Sequence, residues 1–191
     1  TADMNFYDST EAGYVFTSAY VDSYEQAKEA AGMLGEFASL SNFKTFVMKA
    51  EDEVPVVSYI SENVTLQSTT SDGFDYTYFQ DIRMRSLQTS LGYTNILLDM
   101  YRMTFPETKR DVWEIRADDF TRNINTFWRP FEDFEYTTVS ESDRRVRCFL
   151  NLDYAHMCEN NRITLRTTGA TGEYYFILRT RNQEIKSLIG G

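Results

Sequence analysis

Histidine and cysteine are scarce in this chain of 191 residues, which contains one histidine, His156, and two cysteines. Zinc enzymes commonly hold their metal through several imidazoles and thiolates, so most self-contained zinc chemistry is excluded. The spacing of Cys148 and Cys158 matches no metal motif. A disulfide between them remains open, although the apolar helical stretch around Cys148 favours a buried thiol.

Proline and glycine are also few, at 3 and 9 residues, which argues against disorder and low complexity. No apolar run reaches the ~18 residues of a membrane-spanning helix, so we expect no transmembrane segment. Acidic residues outnumber basic ones, 29 to 19, and the net charge is −10. This balance argues against nucleic acid as a partner, because phosphate binding needs a basic surface.

The glycine motifs of nucleotide-binding loops and the G-x-S-x-G motif of serine hydrolases are absent from the sequence. We therefore expect no cofactor in this chain. A Ser-His-Asp triad would have to use His156, and a structural role for that residue is the better interpretation.

The order of periodic segments predicts an α/β fold. Thr45–Met48 is a short buried strand, Phe79–Leu91 is a helix that Gly92 ends, and Ile96–Leu98 is a fully apolar strand core. Polar, turn-rich residues 68–75 predict a loop between them. Strand, helix and strand in this order are typical of an α/β layer.

Residue 150 is the predicted boundary between two regions. Residues 1–150 form the α/β region, and residues 151–191 form an antiparallel β meander. Strands of the meander are predicted at Arg162–Thr167, Tyr174–Arg179 and Glu184–Leu188. Alternation in the first of them predicts a buried face with Ile163 and Leu165 and a solvated face with Arg162, Thr164 and Arg166.

Two helices are predicted between residues 106 and 150. Thr108 is the predicted N-cap of the first. Its apolar spacing predicts core positions, which are Trp113, Ile115, Phe120 and Ile124. Ser140-Glu141-Ser142-Asp143 resembles a capping box and predicts the start of the second helix, which runs through Leu150.

Three residues are candidates for ligand binding. Asp99 follows the apolar strand core, and sites of α/β proteins lie at the carboxyl ends of parallel strands. Arg102 follows closely, and a structural salt bridge is the alternative for this pair. Tyr174 is predicted on the solvated face of the β tail, where its ring can stack on a sugar. No catalytic residue is predicted.

The second half of the chain resembles bacterial extracytoplasmic proteins that are related to polysaccharide deacetylases and process secreted exopolysaccharide. The resemblance covers roughly residues 91 to 191 and depends on the order of several motifs, none of them diagnostic alone. These motifs are Leu91-Gly92-Tyr93-Thr94-Asn95, Leu98-Asp99-Met100, Phe105-Pro106, Phe127-Trp128-Arg129-Pro130-Phe131, Thr137-Thr138-Val139-Ser140-Glu141-Ser142-Asp143, Arg145-Val146-Arg147, Phe149-Leu150, Leu152-Asp153-Tyr154 and Glu173-Tyr174-Tyr175-Phe176-Ile177-Leu178-Arg179-Thr180.

The resemblance implies a partial or distorted (β/α) barrel-like layer, an extracytoplasmic or secreted location and polysaccharide as a partner. The family's metal is held by an aspartate and spaced histidines, and those histidines have no counterpart here; Ile96 stands where relatives carry one. The sequence therefore leaves open whether the chain is an enzyme. Either the missing catalytic half belongs to the same protein, or the chain is a non-catalytic carbohydrate- or protein-binding module.

Overall fold

The structure is a computed structural model that describes residues 7–10, 13–34, 42–74, 77–129, 135–172, 174–176, 178 and 182–189. The chain divides into two units, Thr1–Leu150 and Asn151–Gly191. Each unit is described by itself below.

The first unit is a mixed α/β structure. Its strands are β1 Tyr7–Thr10, β2 Gly13–Phe16, β3 Ser18–Val21, β4 Thr45–Met48, β5 Val57–Ser61, β6 Val64–Ser68, β7 Ser71–Asp72 and β8 Ile96–Leu97. Its helices are α1 Tyr24–Leu34, α2 Tyr78–Leu91, α3 Met100–Thr104, α4 Trp113–Asn123 and α5 Val139–Asn151, and a π-helical turn, Ile124–Trp128, continues α4.

A four-stranded sheet in the order β3-β4-β6-β5 is the centre of the first unit. Strands β3, β4 and β6 are parallel, and β5 runs antiparallel to β6. Strands β7 and β8 form a short parallel pair, while β1 and β2 form an antiparallel hairpin. The predicted α/β character is confirmed, and the strands within the described ranges do not close into a barrel.

One face of the four-stranded sheet carries the apolar core. Alternation along β4 and β6 directs Phe46, Met48 and Leu66 to this face, where they pack with Ala27 and Ala31 of α1. Both alanines are buried, and their small side chains let the helix backbone approach the sheet closely. Burial of these apolar side chains is the main stabilising contribution at this face.

The opposite face of the same sheet carries buried polar residues beside the buried Val47. Ser18, Thr45, Thr65 and Gln67 are each at most 1% exposed, so their hydroxyl and amide groups need partners within the protein. Helix α5 supplies such partners through Asp143, which is 3% exposed. The sheet therefore contacts α1 through hydrocarbon and α5 through hydrogen bonds.

Helix α2 and strand β4 lie where the sequence predicts them. Strand β4 has the predicted bounds, and α2 begins one residue earlier than predicted. Gly92 follows α2 with φ 62°, a left-handed conformation that favours glycine. Thr77 caps the N-terminus of α2, because its hydroxyl accepts the backbone N–H of Gln80.

The predicted loop at residues 68–75 is wrong in part. Strand β6 extends to Ser68, β7 follows at Ser71–Asp72, and the intervening Thr69 and Thr70 are buried. Thr70 Oγ1 donates to the Asn95 carbonyl at 2.9 Å and accepts the Asn95 N–H at 3.1 Å. A polar segment can be buried when its groups are bonded in this way, and composition alone does not reveal those partners.

The predicted interior face of α4 is wrong in part, although Phe120 is half-buried with its ring centre 6.0 Å from that of the buried Phe74. Trp113 and Ile115 are 53% and 42% exposed, while the buried residues of this helix are Arg116 and Asn123. Arg116 pairs with Asp111, and Asn123 Nδ2 donates to the Gly73 carbonyl at 3.0 Å. Polar contacts, which apolar periodicity cannot reveal, therefore bury two residues of α4 that the sequence does not place in the core.

The N-terminal end of α4 differs from its prediction as well. Val112 occupies the cap position and makes no side-chain hydrogen bond there. The hydroxyl of Thr108 instead donates to Asp111 Oδ2 at 2.7 Å and accepts the N–H of Arg110 at 3.3 Å. Thr108 therefore stabilises the loop before the helix.

The second unit contains an antiparallel hairpin of β9, Asp153–Glu159, and β10, Arg162–Thr168. Asn160 and Asn161 form the turn with φ 49° and 59°, because asparagine tolerates the left-handed region that two-residue hairpin turns require. Of the predicted further strands, Glu184–Leu188 is not a strand in the structure, and Tyr174–Arg179 lies partly outside the described residues.

The residues of the hairpin lie on the two faces as predicted, but the face that was predicted to be buried is exposed. Register and alternation place Arg162, Thr164 and Arg166 on one face and Ile163 and Leu165 on the other. Ile163 and Leu165 are nevertheless 45% and 46% exposed. A two-stranded ribbon has no third strand to widen a buried face, and none is added by the described part of this unit.

Candidate ligand-binding pocket

A row of hydroxyl groups crosses the polar face of the central sheet. Ser18 lies opposite Thr45, and Thr45 lies opposite Thr65, because each of the three parallel strands carries a hydroxyl residue at the same level. Thr65 Oγ1 lies 2.8 Å from Thr45 Oγ1. The Ser18 hydroxyl oxygen is buried and has no hydrogen-bond partner among the described residues.

Asp143 connects this row to α5. Its Oδ1 accepts a hydrogen bond from the Thr65 hydroxyl at 2.5 Å, and its Oδ2 accepts one from Nε of Arg147 at 2.8 Å. Both carboxylate oxygens are therefore bonded, which offsets the cost of burying the charge. Nearby, Ser142 Oγ donates to Gln67 Oε1 at 2.7 Å, so successive residues of α5 bond to the sheet.

Arg147 fastens the same helix to the ends of two strands. Its Nη2 donates to the carbonyl of Lys44 at 2.8 Å and to that of Asn63 at 2.9 Å. Lys44 and Asn63 immediately precede β4 and β6. The guanidinium carbon also lies 5.7 Å from the centre of the Tyr59 ring, within cation–π distance.

A pocket of about 290 Å³ opens where α5 meets this edge of the sheet. Its walls are formed by Thr17, Lys44, Ser140, Asp143, Arg144 and Arg147. Thr17 and Lys44 directly precede β3 and β4, so the pocket lies at the amino-terminal edge of the parallel strands. The hydroxyl oxygens of Thr17 and Ser140 are 3.4 Å apart. Five of these six wall residues thus carry a hydroxyl group or a cationic group.

The charges beside the pocket are partly compensated. The Glu141 carboxylate accepts two hydrogen bonds from Arg144, from Nε at 2.8 Å and from Nη2 at 2.7 Å. It accepts a third from Nε of Arg145 at 2.8 Å. These hydrogen bonds, first from Arg144 and then from Arg145, lower the pKa of Glu141 to about 2. The same contacts raise the pKa of both guanidinium groups.

A second polar cluster surrounds Asp111, which is fully buried. Its carboxylate lies 2.5 Å from Nη2 of Arg116 and 3.0 Å from Nε of Arg102, and it also accepts the N–H and hydroxyl of Thr108. The bonds from Arg116 and then Thr108 lower the pKa of Asp111 to about 2. These groups bond to one another, so the cluster stabilises the loop before α4.

The predicted binding residues Asp99 and Arg102 lie together, but not at the pocket. Asp99 is the N-cap of α3, and its Oδ1 accepts the backbone N–H of Arg102 at 3.2 Å. The Arg102 side chain forms its ion pair with Asp111. Arg102 therefore forms a structural salt bridge, which was the alternative to ligand binding, and its partner is Asp111.

Tyr174, the third predicted residue, lies in the second unit and is half-buried. Its hydroxyl oxygen accepts the backbone N–H of Thr171 at 2.7 Å and lies 3.5 Å from the Gly169 carbonyl oxygen. These bonds hold the phenol against its own loop. A sugar contact by the ring stays a prediction.

The described residues do not fit the metal site that the resemblance implies. His156, the single histidine, lies on β9 and is exposed. Across the described ranges, no group of three or more His, Cys, Asp or Glu side chains is arranged to hold a metal ion. Neither cysteine forms a disulfide; Cys148 is half-buried on α5 and Cys158 is exposed on β9.

Sequence reasoning missed Lys44, Thr65, Asp143 and Arg147. The interpretation of Ser140–Asp143 as a capping box is wrong, because Thr138 Oγ1 accepts the N–H of Glu141 at 3.2 Å and Asp143 is buried against the sheet. Threonine at equivalent positions of β4 and β6 is the signal that was available. It indicates a buried polar face only once the two strands are paired.

Comparison with known proteins identifies no relative, since no family model, curated protein or solved structure matches the chain. The helices in the described part of the chain all lack the combination of length and apolar character that a membrane crossing requires.

Proposed function

We propose that the chain is part of an extracytoplasmic, deacetylase-like protein that processes polysaccharide, and that it contributes glycan binding to that protein. The pocket between α5 and the central sheet carries this proposal. Thr17 and Ser140 offer hydroxyl groups, and Lys44, Arg144 and Arg147 offer N–H donors. Sugars present many hydroxyl groups, which such a set of donors and acceptors suits.

The order of elements supports the deacetylase-like, barrel-like part of the proposal. Helix α1 lies between the parallel strands β3 and β4, and α2 lies between the parallel strands β7 and β8. Such β-α-β units are the components of a (β/α) barrel layer. A distorted barrel-like layer, with the pocket at one edge, is the arrangement that we propose for the longer protein.

A purely binding role is the second candidate, and the position of the pocket favours it. Active sites of (β/α) barrels lie at the carboxyl-terminal face of the strands. Thr17 and Lys44 stand instead before the first residues of β3 and β4. Ligands at this edge are held away from the usual position of catalysis.

A variant that fills the pocket tests glycan binding. Ser140 is exposed at the pocket wall, so Ser140→Trp should fold normally and obstruct the pocket. Ser90→Trp, at an exposed position of α2, is the matched control. We expect the unaltered chain and the control to be retarded equally in gels that contain bacterial exopolysaccharide, and Ser140→Trp to migrate freely. Equal retardation of all three proteins would remove the pocket from the proposal.

An acetate-release assay tests the purely binding role directly. The chain is incubated with acetylated exopolysaccharide and a divalent cation, and free acetate is measured. Binding without acetate release is the outcome expected of a module that contributes binding alone. Turnover would overturn that second candidate and would also contradict the poor fit of the described residues to a metal site.

A further inference from the structure

The walls of the pocket carry more positive than negative charge, although the chain as a whole has a net charge of −10. The wall contains three cationic residues, Lys44, Arg144 and Arg147, and one carboxylate, that of Asp143. We infer that the pocket recognises a carboxylate on a sugar unit, so that the preferred glycan contains uronic acid. This inference rests on the proposed glycan binding and narrows it to an acidic substrate class.

The donors are not equally available to a ligand. Arg147 already bonds to Asp143 and to two backbone carbonyls, and Arg144 is held by Glu141 through two of its nitrogens. Lys44 is exposed and forms no ion pair with a described carboxylate. Its ammonium group is therefore the donor that is left to meet an incoming anion.

Asp143 does not cancel this attraction. Its two oxygens accept bonds from Thr65 and Arg147, so its charge is balanced within the protein. A ligand carboxylate would meet Lys44 together with the hydroxyl groups of Thr17 and Ser140. Charge-assisted bonds of this kind are about twice as strong as neutral ones. The remaining wall hydroxyls suit the ring hydroxyls of the sugar.

The size of the pocket limits the ligand to a short segment of chain. A volume of about 290 Å³ lies at the lower end of the range for small-molecule sites, ~300–1,000 Å³. One acidic sugar unit can enter it while the rest of the polymer continues along the surface. The local positive charge on an otherwise acidic protein concentrates anions at this place.

Titration calorimetry with paired oligosaccharides tests the inference. The probes are a short oligogalacturonate, its carboxyl-reduced neutral counterpart, oligoglutamate and inorganic phosphate. We expect the oligogalacturonate to bind about tenfold more tightly than the neutral sugar, as one charge-assisted hydrogen bond predicts. Its affinity should fall as NaCl rises from ~0.1 to ~1 M, because the screening length shortens from ~10 to ~3 Å.

Variants assign the effect to the pocket. Lys44→Met keeps the length of the side chain and removes its charge, so it should lose about tenfold in affinity for oligogalacturonate and little for the neutral sugar. Lys28→Met, at an exposed position of α1, is the matched control and should bind normally. Arg144→Gln is a second variant, and thermal melting verifies that each protein is folded.

Each other outcome has a defined meaning. Equal affinity for the acidic and neutral sugars, or an unchanged Lys44→Met variant, overturns the acidic specificity and leaves glycan binding intact. Binding of oligoglutamate or phosphate as tight as that of oligogalacturonate overturns it too, because the pocket would then bind anions of any kind. Failure of both sugars to bind overturns the proposed function itself.

Discussion

Thr65 on β6 and Asp143 on α5 lie 78 positions apart in the chain, and their side chains share a hydrogen bond of 2.5 Å. Thr65→Val keeps the shape of the side chain but leaves Asp143 Oδ1 without this donor. Because a hydrogen bond to a buried charged group is lost, we expect the free energy of unfolding to fall by about 1–3 kcal/mol in denaturant titrations.

A double-mutant cycle shows whether this loss comes from the pair. Thr65→Val combined with Asp143→Asn should cost less than the sum of the two single changes, with a coupling energy of about 0.5–3 kcal/mol. Thr89→Val, at an exposed position of α2, is the control and should change stability by less than about 0.5 kcal/mol. Strict additivity would mean that the two side chains act independently.

The Asp111 cluster predicts a dependence of stability on acid. The pKa of Asp111 is lowered to about 2 in the folded protein from an ordinary value of 3.8. A lowered pKa contributes stability that is present above the unfolded value and is lost as pH falls through the folded one. The contribution of Asp111 should therefore disappear between pH about 4 and about 2.

The difference in unfolding free energy between the unaltered chain and Asp111→Asn measures that contribution. It should be constant at neutral pH and shrink across the acid range. An exposed carboxylate, that of Asp118, provides the control variant Asp118→Asn. Carbon-detected NMR titration of the Asp111 carboxyl gives an independent reading if the variant does not fold. A midpoint near its ordinary value would contradict the ion-pair geometry.

Trp113 and Phe74 should differ in what their truncation costs. Trp113 is 53% exposed, whereas Phe74 is 8% exposed with its ring centre 6.0 Å from that of Phe120. Phe74→Ala should lower the free energy of unfolding by about 3–5 kcal/mol, because it leaves a cavity. Trp113→Ala should cost about 1 kcal/mol or less. Thermal melts of the two variants measure these losses. Equal losses of unfolding free energy would mean that Trp113 belongs to the core.

Tyr174 offers a test of the predicted sugar contact in the second unit. Tyr174→Ala should weaken glycan binding without loss of stability if its ring stacks on a sugar, whereas Tyr174→Phe should keep the stacking and lose only the hydrogen bonds of the hydroxyl group. The neighbouring Tyr175 is 89% exposed, so Tyr175→Ala serves as the matched control. Unchanged glycan binding by Tyr174→Ala would remove this residue from the list of ligand contacts.

Local signals account for the elements that the sequence predicts well. Helix α2 ends at Leu91 and is followed by Gly92, whose φ of 62° favours glycine, and three of the four residues of β4 are apolar. Information of this kind lies within a few residues of the feature. The same holds for the two faces of the hairpin, since alternation alone sorts Ile163 from Thr164.

Non-local polar contacts explain what sequence reasoning missed. The burial of Arg116 depends on Asp111, and that of Asp143 depends on Thr65 and Arg147. From sequence alone a charged residue is predicted to be exposed to solvent, because its buried partner is not known. Apolar periodicity therefore located α4 but wrongly placed Trp113 and Ile115 in the core, and it gave no sign of the pocket beside α5.

The way α5 is fastened has a consequence for local unfolding. Asp143 and Val146 are its buried side chains, and its polar contacts with the sheet are hydrogen bonds. Water can form hydrogen bonds in place of these, so opening of α5 would expose a row of hydroxyl groups that water can solvate. The apolar core beneath α1 would stay covered. Native-state hydrogen exchange would then record α5 as a separate, early-opening unit. Because a chain opened at α5 alone keeps the apolar core beneath α1 covered, we expect it to aggregate less readily than a chain opened at α1.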